Sequence, residues 1–186
     1  MIRSFIAVNV SDATRRMIDT LQMIFIHSRR LIRFVPPENV HVTLKFLGDI
    51  DPEIMPELIT KIETSIRSLR KFDYICAGTG VFPNVRRPRV LWLGITQGSE
   101  MLTNLSKTLD ESLKAMPIES EEREFKAHIT LGRIKEFRKP VPELDQFLAY
   151  PFKPTHNPVD EVILFKSTLT PSGAIYTPLH NFTLSD

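Results

Sequence analysis

The sequence predicts an α+β fold of two pseudo-symmetric lobes around a central cleft, each with a mainly antiparallel sheet and packed helices. Three observations carry this. The order strand, helix, His-x-Thr strand, helix, strand is run through twice. His41-Val42-Thr43-Leu44 in the first pass is matched by His128-Ile129-Thr130-Leu131 in the second. No linker or low-complexity segment separates the passes, so residues 1–186 read as one bilobal domain. The internal repeat divides it into approximately 1–88 and 89–186, with the boundary within about five residues of Pro88.

Each element has a local reason. Residues 4–10 are rich in β-branched and aromatic side chains and read as a strand. Ser11 or Asp12 can cap the helix that follows. From 13 to about 28, Met17, Ile18, Leu21, Ile24 and Phe25 recur at helical spacing, with His27 solvated at the end. Residues 33–35 lead into a Pro36-Pro37 turn and the first His-x-Thr strand, 40–47, closed by Gly48-Asp49. Asp51-Pro52-Glu53 suits a helix start, and Ile54, Leu58, Ile62, Ile66 and Leu69 form its apolar face. Residues 72–77 are a strand, and Gly78, Gly80 and Pro83-Asn84 mark a loop. The second pass has a strand at 90–95 and a helix opened by Gly98-Ser99. A lead-in over 119–125 then enters the second His-x-Thr strand. A short helix within 140–150, a strand at 161–165 and a closing strand at 176–184 complete the chain.

Composition narrows the function. Apolar content of 42%, charged content of 25% and a net charge of +2 describe a globular chain without a broadly basic surface, so nucleic-acid contact requires a local patch. The densest basic segment is 85–89, with Arg86, Arg87 and Arg89. The single cysteine, Cys76, excludes an internal disulfide framework and a multi-cysteine zinc site, and its apolar surroundings suit a buried residue. The first residues enter a strand-like run without a signal peptide's apolar core, and no stretch has the length of a membrane span, so a cytoplasmic location is expected. Neither a P-loop nor a Gly-x-Ser-x-Gly setting occurs.

Strand alternation puts His41 beside Thr43, and His128 beside Thr130, with the intervening apolar residues facing a core. One triplet means little; two in matched surroundings point to a shared site. Two histidines can serve as a base and an acid near neutral pH, and threonine hydroxyls can donate to phosphate oxygens. In-line displacement at phosphorus needs its base and acid on opposite sides, which two facing strands supply. Which histidine plays which part is symmetric on these grounds. The competing reading is a metal site, but threonine is a poor ligand. His156 in a turn-like segment and His180 in the closing strand read as ordinary histidines.

Residues 33–48, 80–94 and 125–133 together resemble the RNA 2′,3′-cyclic phosphodiesterases, formerly called 2′-5′ RNA ligases, of the two-histidine phosphoesterase superfamily. The resemblance covers essentially the whole chain. It implies hydrolysis of a terminal 2′,3′-cyclic phosphate to a 2′-phosphomonoester without metal or other cofactor. It implies that His128 is the general base, His41 the general acid, and Thr43, Thr130 and Arg133 the phosphate-binding residues. Strict alternation puts Arg133 on the face opposite His128, so this last assignment requires a bulge or strand end. The implied substrates are RNA ends or nucleotides with a cyclic phosphate, tRNA fragments among them, taken by a monomer. Possible RNA contacts are Lys45, which a regular strand places beside His41 and Thr43, then Phe82 by stacking, and Arg86, Arg87 and Arg89 by charge. Lys45 reads equally as a solvated strand end. Phe46 and Trp92 are expected in the core. The alternatives are 2′-5′ RNA joining at the same phosphate and a non-catalytic RNA-end-binding protein.

Overall fold

The computed structural model describes residues 1–118, 124–135, 139–151, 153–171 and 173–186. The lead-in expected over 119–125 lies largely outside them. Strands β1 (Ile2–Val8), β3 (Val42–Ile50), β8 (Glu161–Thr170) and β9 (Gly173–Thr183) form one sheet, in the order β3-β1-β8-β9. Strands β2 (Ile32–Phe34), β4 (Phe72–Phe82), β5 (Val90–Gln97), β6 (His128–Ile134) and β7 (Thr155–Val159) form the other, in the order β2-β6-β5-β4-β7. Every pairing within the two sheets is antiparallel. Helices α1 (Asp12–Met23), α2 (Met55–Ile66), α3 (Ser99–Leu113) and α4 (Leu144–Leu148) pack onto them, and one apolar core includes residues from both sheets and all four helices.

The lobes are not the two halves of the sequence. The first sheet joins β3 and β1 of the first half to β8 of the second. The second sheet joins β6 and β5 of the second half to β4 of the first. Each half thus lends its last repeat strand to the other sheet, where antiparallel bonds hold it. This exchange couples the lobes through backbone hydrogen bonds and one continuous core.

Three local expectations change. Helix α1 stops at Met23, not near residue 28. Its end tightens, with the amide of Ile24 donating to Leu21 O, and the chain is then turned by Glu143. One carboxylate oxygen of Glu143 accepts from the amides of His27 and Ser28 at 3.0 and 3.1 Å, and the other accepts from the Ser28 hydroxyl. Second, the expected loop at Gly78 and Gly80 is the continuation of β4. Gly80 is there for packing: a Cβ would lie 2.1 Å from the indole of Trp92, which covers it. Third, the segment around His156 is strand β7, paired with β4. Its inward residues are Thr155, Asn157 and Val159, so polar side chains replace the apolar period that marks a strand. Asn157 is fully buried and accepts from the amide of Ser11 and the hydroxyl of Thr14, each at 2.8 Å. Its amide donates to Thr155 O at 3.1 Å. These bonds fix the start of α1 on the second sheet, where Ser11 also caps the helix through the Thr14 amide. His156 projects outward, 3.5 Å from Asp73.

Burial pushes the Glu143 carboxyl up, but the hydrogen bonds from Ser28 and from the His27 and Ser28 amides outweigh it and hold the group below its ordinary range. A depressed folded value means that the stabilisation is present above the unfolded value of about 4.3 and is lost as pH falls through the folded one. Glu143→Gln is expected to cost about 2 kcal/mol at pH 7. That corresponds to a drop in Tm of roughly 4–8 °C for a chain of this size. Thermal melts of both proteins across pH should show the gap closing below about pH 4.

Candidate active site

The site depends on two irregularities at the same place in the two motifs. In β3, Ala7 pairs with Thr43 but Ile6 pairs with Lys45, so Leu44 is an extra residue. In β6, Trp92 pairs with Thr130 but Leu91 pairs with Gly132, so Leu131 is extra. A bulge of this kind resets which face later side chains occupy. It returns Arg133 to the face of His128 and Thr130, where strict alternation had excluded it. The same reset puts Phe46 on the face of His41 and Thr43 and sends Lys45 to the other side. Lys45 is 5% exposed and ion-paired with Asp110 of α3, so it is not placed to contact RNA beside His41. Phe46 is 49% exposed, not part of the core.

Each bulge is held from behind by a polar side chain of a helix. Ser106 of α3 donates its hydroxyl to Leu44 O at 2.8 Å. Gln22 of α1 donates to Leu131 O at 3.3 Å and to Val35 O at 2.8 Å. Sequence reading missed both residues; the available signal was a polar side chain in a helix otherwise read for its apolar stripe. By the offset that relates the two motifs, α1 and α3 are counterparts, so the two supports arise from corresponding elements.

The histidines are prepared alike. The Nδ1 atom of His41 lies 2.8 Å from Asn39 O, and that of His128 lies 2.6 Å from Lys126 O. A carbonyl only accepts, so Nδ1 carries the proton in each neutral ring and Nε2 holds the lone pair. In His41, Nε2 accepts from the Thr43 hydroxyl at 2.9 Å. The His41 ring stacks on Phe5 with centroids 4.8 Å apart and meets Tyr176 edge-on at 5.3 Å. The His128 ring meets Phe82 edge-on at 5.1 Å, and Phe82 leans on Trp92 at 5.3 Å. Phe82 is therefore a wall of the site next to His128, and Trp92 is half-buried beneath it.

Both imidazoles are hard to charge in the free protein. Burial, with Arg15 and His128 nearby, lowers His41 to about 4 against the opposing Asn39 carbonyl. Burial also lowers His128, the Lys126 carbonyl opposing and Arg133 adding to the effect. Strand β3 approaches β6, and charge on His128 disfavours charge on His41. Burial pushes the Tyr176 phenol up, Arg133 and Arg3 opposing only in part, and the ring lies against His41. Tyr176, Phe5 and Phe165 around His41 escaped the sequence reading, because their strands meet only in the folded sheet.

Arg86 and Arg87 are exposed on the connection between β4 and β5. Arg89 follows them, and its carbonyl accepts from the Ile134 amide at 2.9 Å, at the Arg133 end of β6. Among the described residues no group of three or more His, Cys, Asp or Glu is arranged to hold a metal, and no helix is long and apolar enough to cross a membrane.

Comparison with known proteins gives one consistent answer. The family model described as LigT-like phosphoesterase matches residues 8–92 and 93–176. A Methanothermobacter thermautotrophicus protein named RNA 2′,3′-cyclic phosphodiesterase is 32% identical, over 98% of this chain and 99% of its own. An Aquifex aeolicus protein of the same name is 33% identical, over 99% and 98%. Among solved structures, TT0787 of Thermus thermophilus superposes with a TM-score of 0.80 at 29% identity, covering 98% of each chain. Escherichia coli LigT in complex with 3′-AMP superposes with a TM-score of 0.71 at 26% identity, covering 100% of this chain and 99% of LigT. Matched along both halves, and carrying one His-x-Thr strand in each sheet, the chain belongs to the LigT-like phosphoesterase family.

Proposed function

We propose that the protein hydrolyses the terminal 2′,3′-cyclic phosphate of RNA ends or nucleotides to a 2′-phosphomonoester, with two histidines as base and acid and no metal. The observation that carries the reading is the matched pair of imidazoles, one at the start of a His-x-Thr strand in each sheet, each with Nδ1 tied to a carbonyl so that Nε2 holds the lone pair. The names of the full-length relatives support the substrate class.

In this mechanism Nε2 of His128 takes a proton from water as the water oxygen bonds to phosphorus. The bond from phosphorus to the 3′ oxygen breaks, and Nε2 of His41 delivers a proton to that oxygen. Thr43, Thr130 and Arg133 bind the non-bridging oxygens, and the guanidinium offsets the charge that builds on them. To bind phosphate, Thr43 exchanges its bond to His41 for one to substrate. His41 is neutral before this event, because burial has lowered its pKa. The anionic substrate reverses the balance: negative charge beside the ring favours imidazolium. Substrate thus prepares its own acid. The chain acts as a monomer in the cytoplasm, as one bilobal domain repeated about residue 88, and tRNA fragments are candidate substrates. Arg86, Arg87 and Arg89 guide the RNA backbone, and Phe82 is the stacking surface.

His41→Ala and His128→Ala should each lower kcat by roughly 10²–10⁴-fold on a cyclic-phosphate RNA in the presence of EDTA, with little change in Tm. Near-normal turnover by either purified variant contradicts the mechanism. Phosphorus NMR of the wild-type product distinguishes the expected 2′-phosphate from a 3′-phosphate. Because bound phosphate raises the acid's pKa, the alkaline limb of kcat should lie at least about one pH unit above that of kcat/KM. Coincident limbs would show that substrate does not charge the acid.

A further inference from the structure

We propose that Arg33 and Arg133 hold two successive phosphates of an RNA strand, Arg33 taking the phosphodiester on the 5′ side of the terminal nucleotide. This subsite makes the end of an oligonucleotide a better substrate than a free nucleoside cyclic phosphate. The inference rests on the function proposed above and adds a residue and a substrate class to it.

Arg33 on β2 pairs directly with Arg133 on β6, and both are exposed. Directly paired residues share a face. The neighbouring pair, Ile32 with Ile134, is buried on the core side, so the two arginines project from the opposite face. The Leu131 bulge makes this the face of His128 and Thr130.

Like charges directly opposite one another on adjacent strands destabilise a sheet unless something neutral or negative intervenes. Among the described residues, neither guanidinium has a carboxylate within ion-pair distance. A bound anion would remove the penalty. One phosphate is assigned to Arg133 by the reaction. Arg33 sits one strand farther out, on the edge strand, so it faces the next negative charge along a chain leaving over that edge.

Arg33 is also firmly placed. A Cβ on Gly132 would lie 3.0 Å from side-chain atoms of Ile32 and Phe34 and 3.1 Å from Arg33 O, so the missing side chain lets β2 close on β6. The Val35 amide donates to Leu131 O and the Lys135 amide to Leu31 O, each at 2.8 Å, closing both ends of the short strand. The Gln22 amide bridges Val35 and Leu131 from behind. An edge strand held this closely suits a fixed contact.

The test compares wild type, Arg33→Gln and Arg33→Lys on two substrates: adenosine 2′,3′-cyclic phosphate and a triadenylate ending in 2′,3′-cyclic phosphate. Binding of a labelled triadenylate ending in 3′-phosphate is measured in parallel across salt concentrations. Arg33→Gln should lower kcat/KM on the triadenylate about tenfold, and at least about fivefold more than on the mononucleotide. It should also reduce the salt slope of binding by about 0.7, the share of one phosphate on a single strand, while Arg33→Lys keeps most of that slope. Equal losses on the two substrates would overturn the subsite and assign Arg33 to the reacting phosphate. Unchanged binding and turnover would overturn it as a solvated side chain. If wild type turns over neither substrate but Arg33→Gln still loses the slope, the cyclic-phosphate reading fails and the phosphate subsite stands.

Discussion

The arrangement of the site depends on the bulge that follows each His-x-Thr triplet. A strand with unbroken alternation presents a histidine, a threonine and then every second residue. The extra leucine moves the sixth position of each motif onto the cleft face instead of the fifth. In the second lobe that position is Arg133, and in the first it is Phe46. The two lobes therefore share a histidine and a threonine but differ in what lies beside them. One adds positive charge; the other adds aromatic surface. An approximate two-fold fold thereby carries an asymmetric arrangement of side chains beside the two histidines.

The bulges need support, because an irregular ladder leaves backbone carbonyls short of partners. Ser106 and Gln22 supply donors from α3 and α1. The placement of α1 depends in turn on Asn157 at its start and Glu143 beyond its end. A chain of polar contacts thus runs from the outer strand β7 and helix α4 to the face carrying Arg133. Apolar packing fixes the sheets and helices, while these bonds fix register. Burial also disfavours charge on both imidazoles, so the two histidines are neutral in the free protein beside the cationic Arg133.

Much of this was legible in the sequence. The paired triplets, the alternating elements and the apolar stripes of α1, α2 and α3 follow from period and spacing. Residue faces beyond a bulge do not, because alternation has no memory of an inserted residue. That is why Arg133 required a bulge to be reconciled and why Lys45 and Phe46 exchanged expected places. Strand β7 was hidden because its inward side chains bind α1 through polar atoms, which in sequence look like a turn. Gly80 read as a loop residue when its role is to lie beneath Trp92. Tyr176 belongs to the site only through sheet pairing across most of the chain's length, beyond the reach of local patterns. The exchange of β4 and β8 between sheets is of the same kind: element order permits it, and long-range pairing decides it.

In the proposed mechanism Nε2 of His41 and Nε2 of His128 stand on opposite sides of the reacting phosphorus, with Arg133 beside it. A crystal structure with a nucleoside 2′,3′-cyclic vanadate, which mimics the five-coordinate phosphorus, tests this most directly. The two Nε2 atoms should lie within hydrogen-bond distance of opposite apical oxygens, with Thr43, Thr130 and Arg133 on the equatorial ones. Both imidazoles on one side of the vanadium, or Arg133 turned away from it, would overturn the two-histidine mechanism.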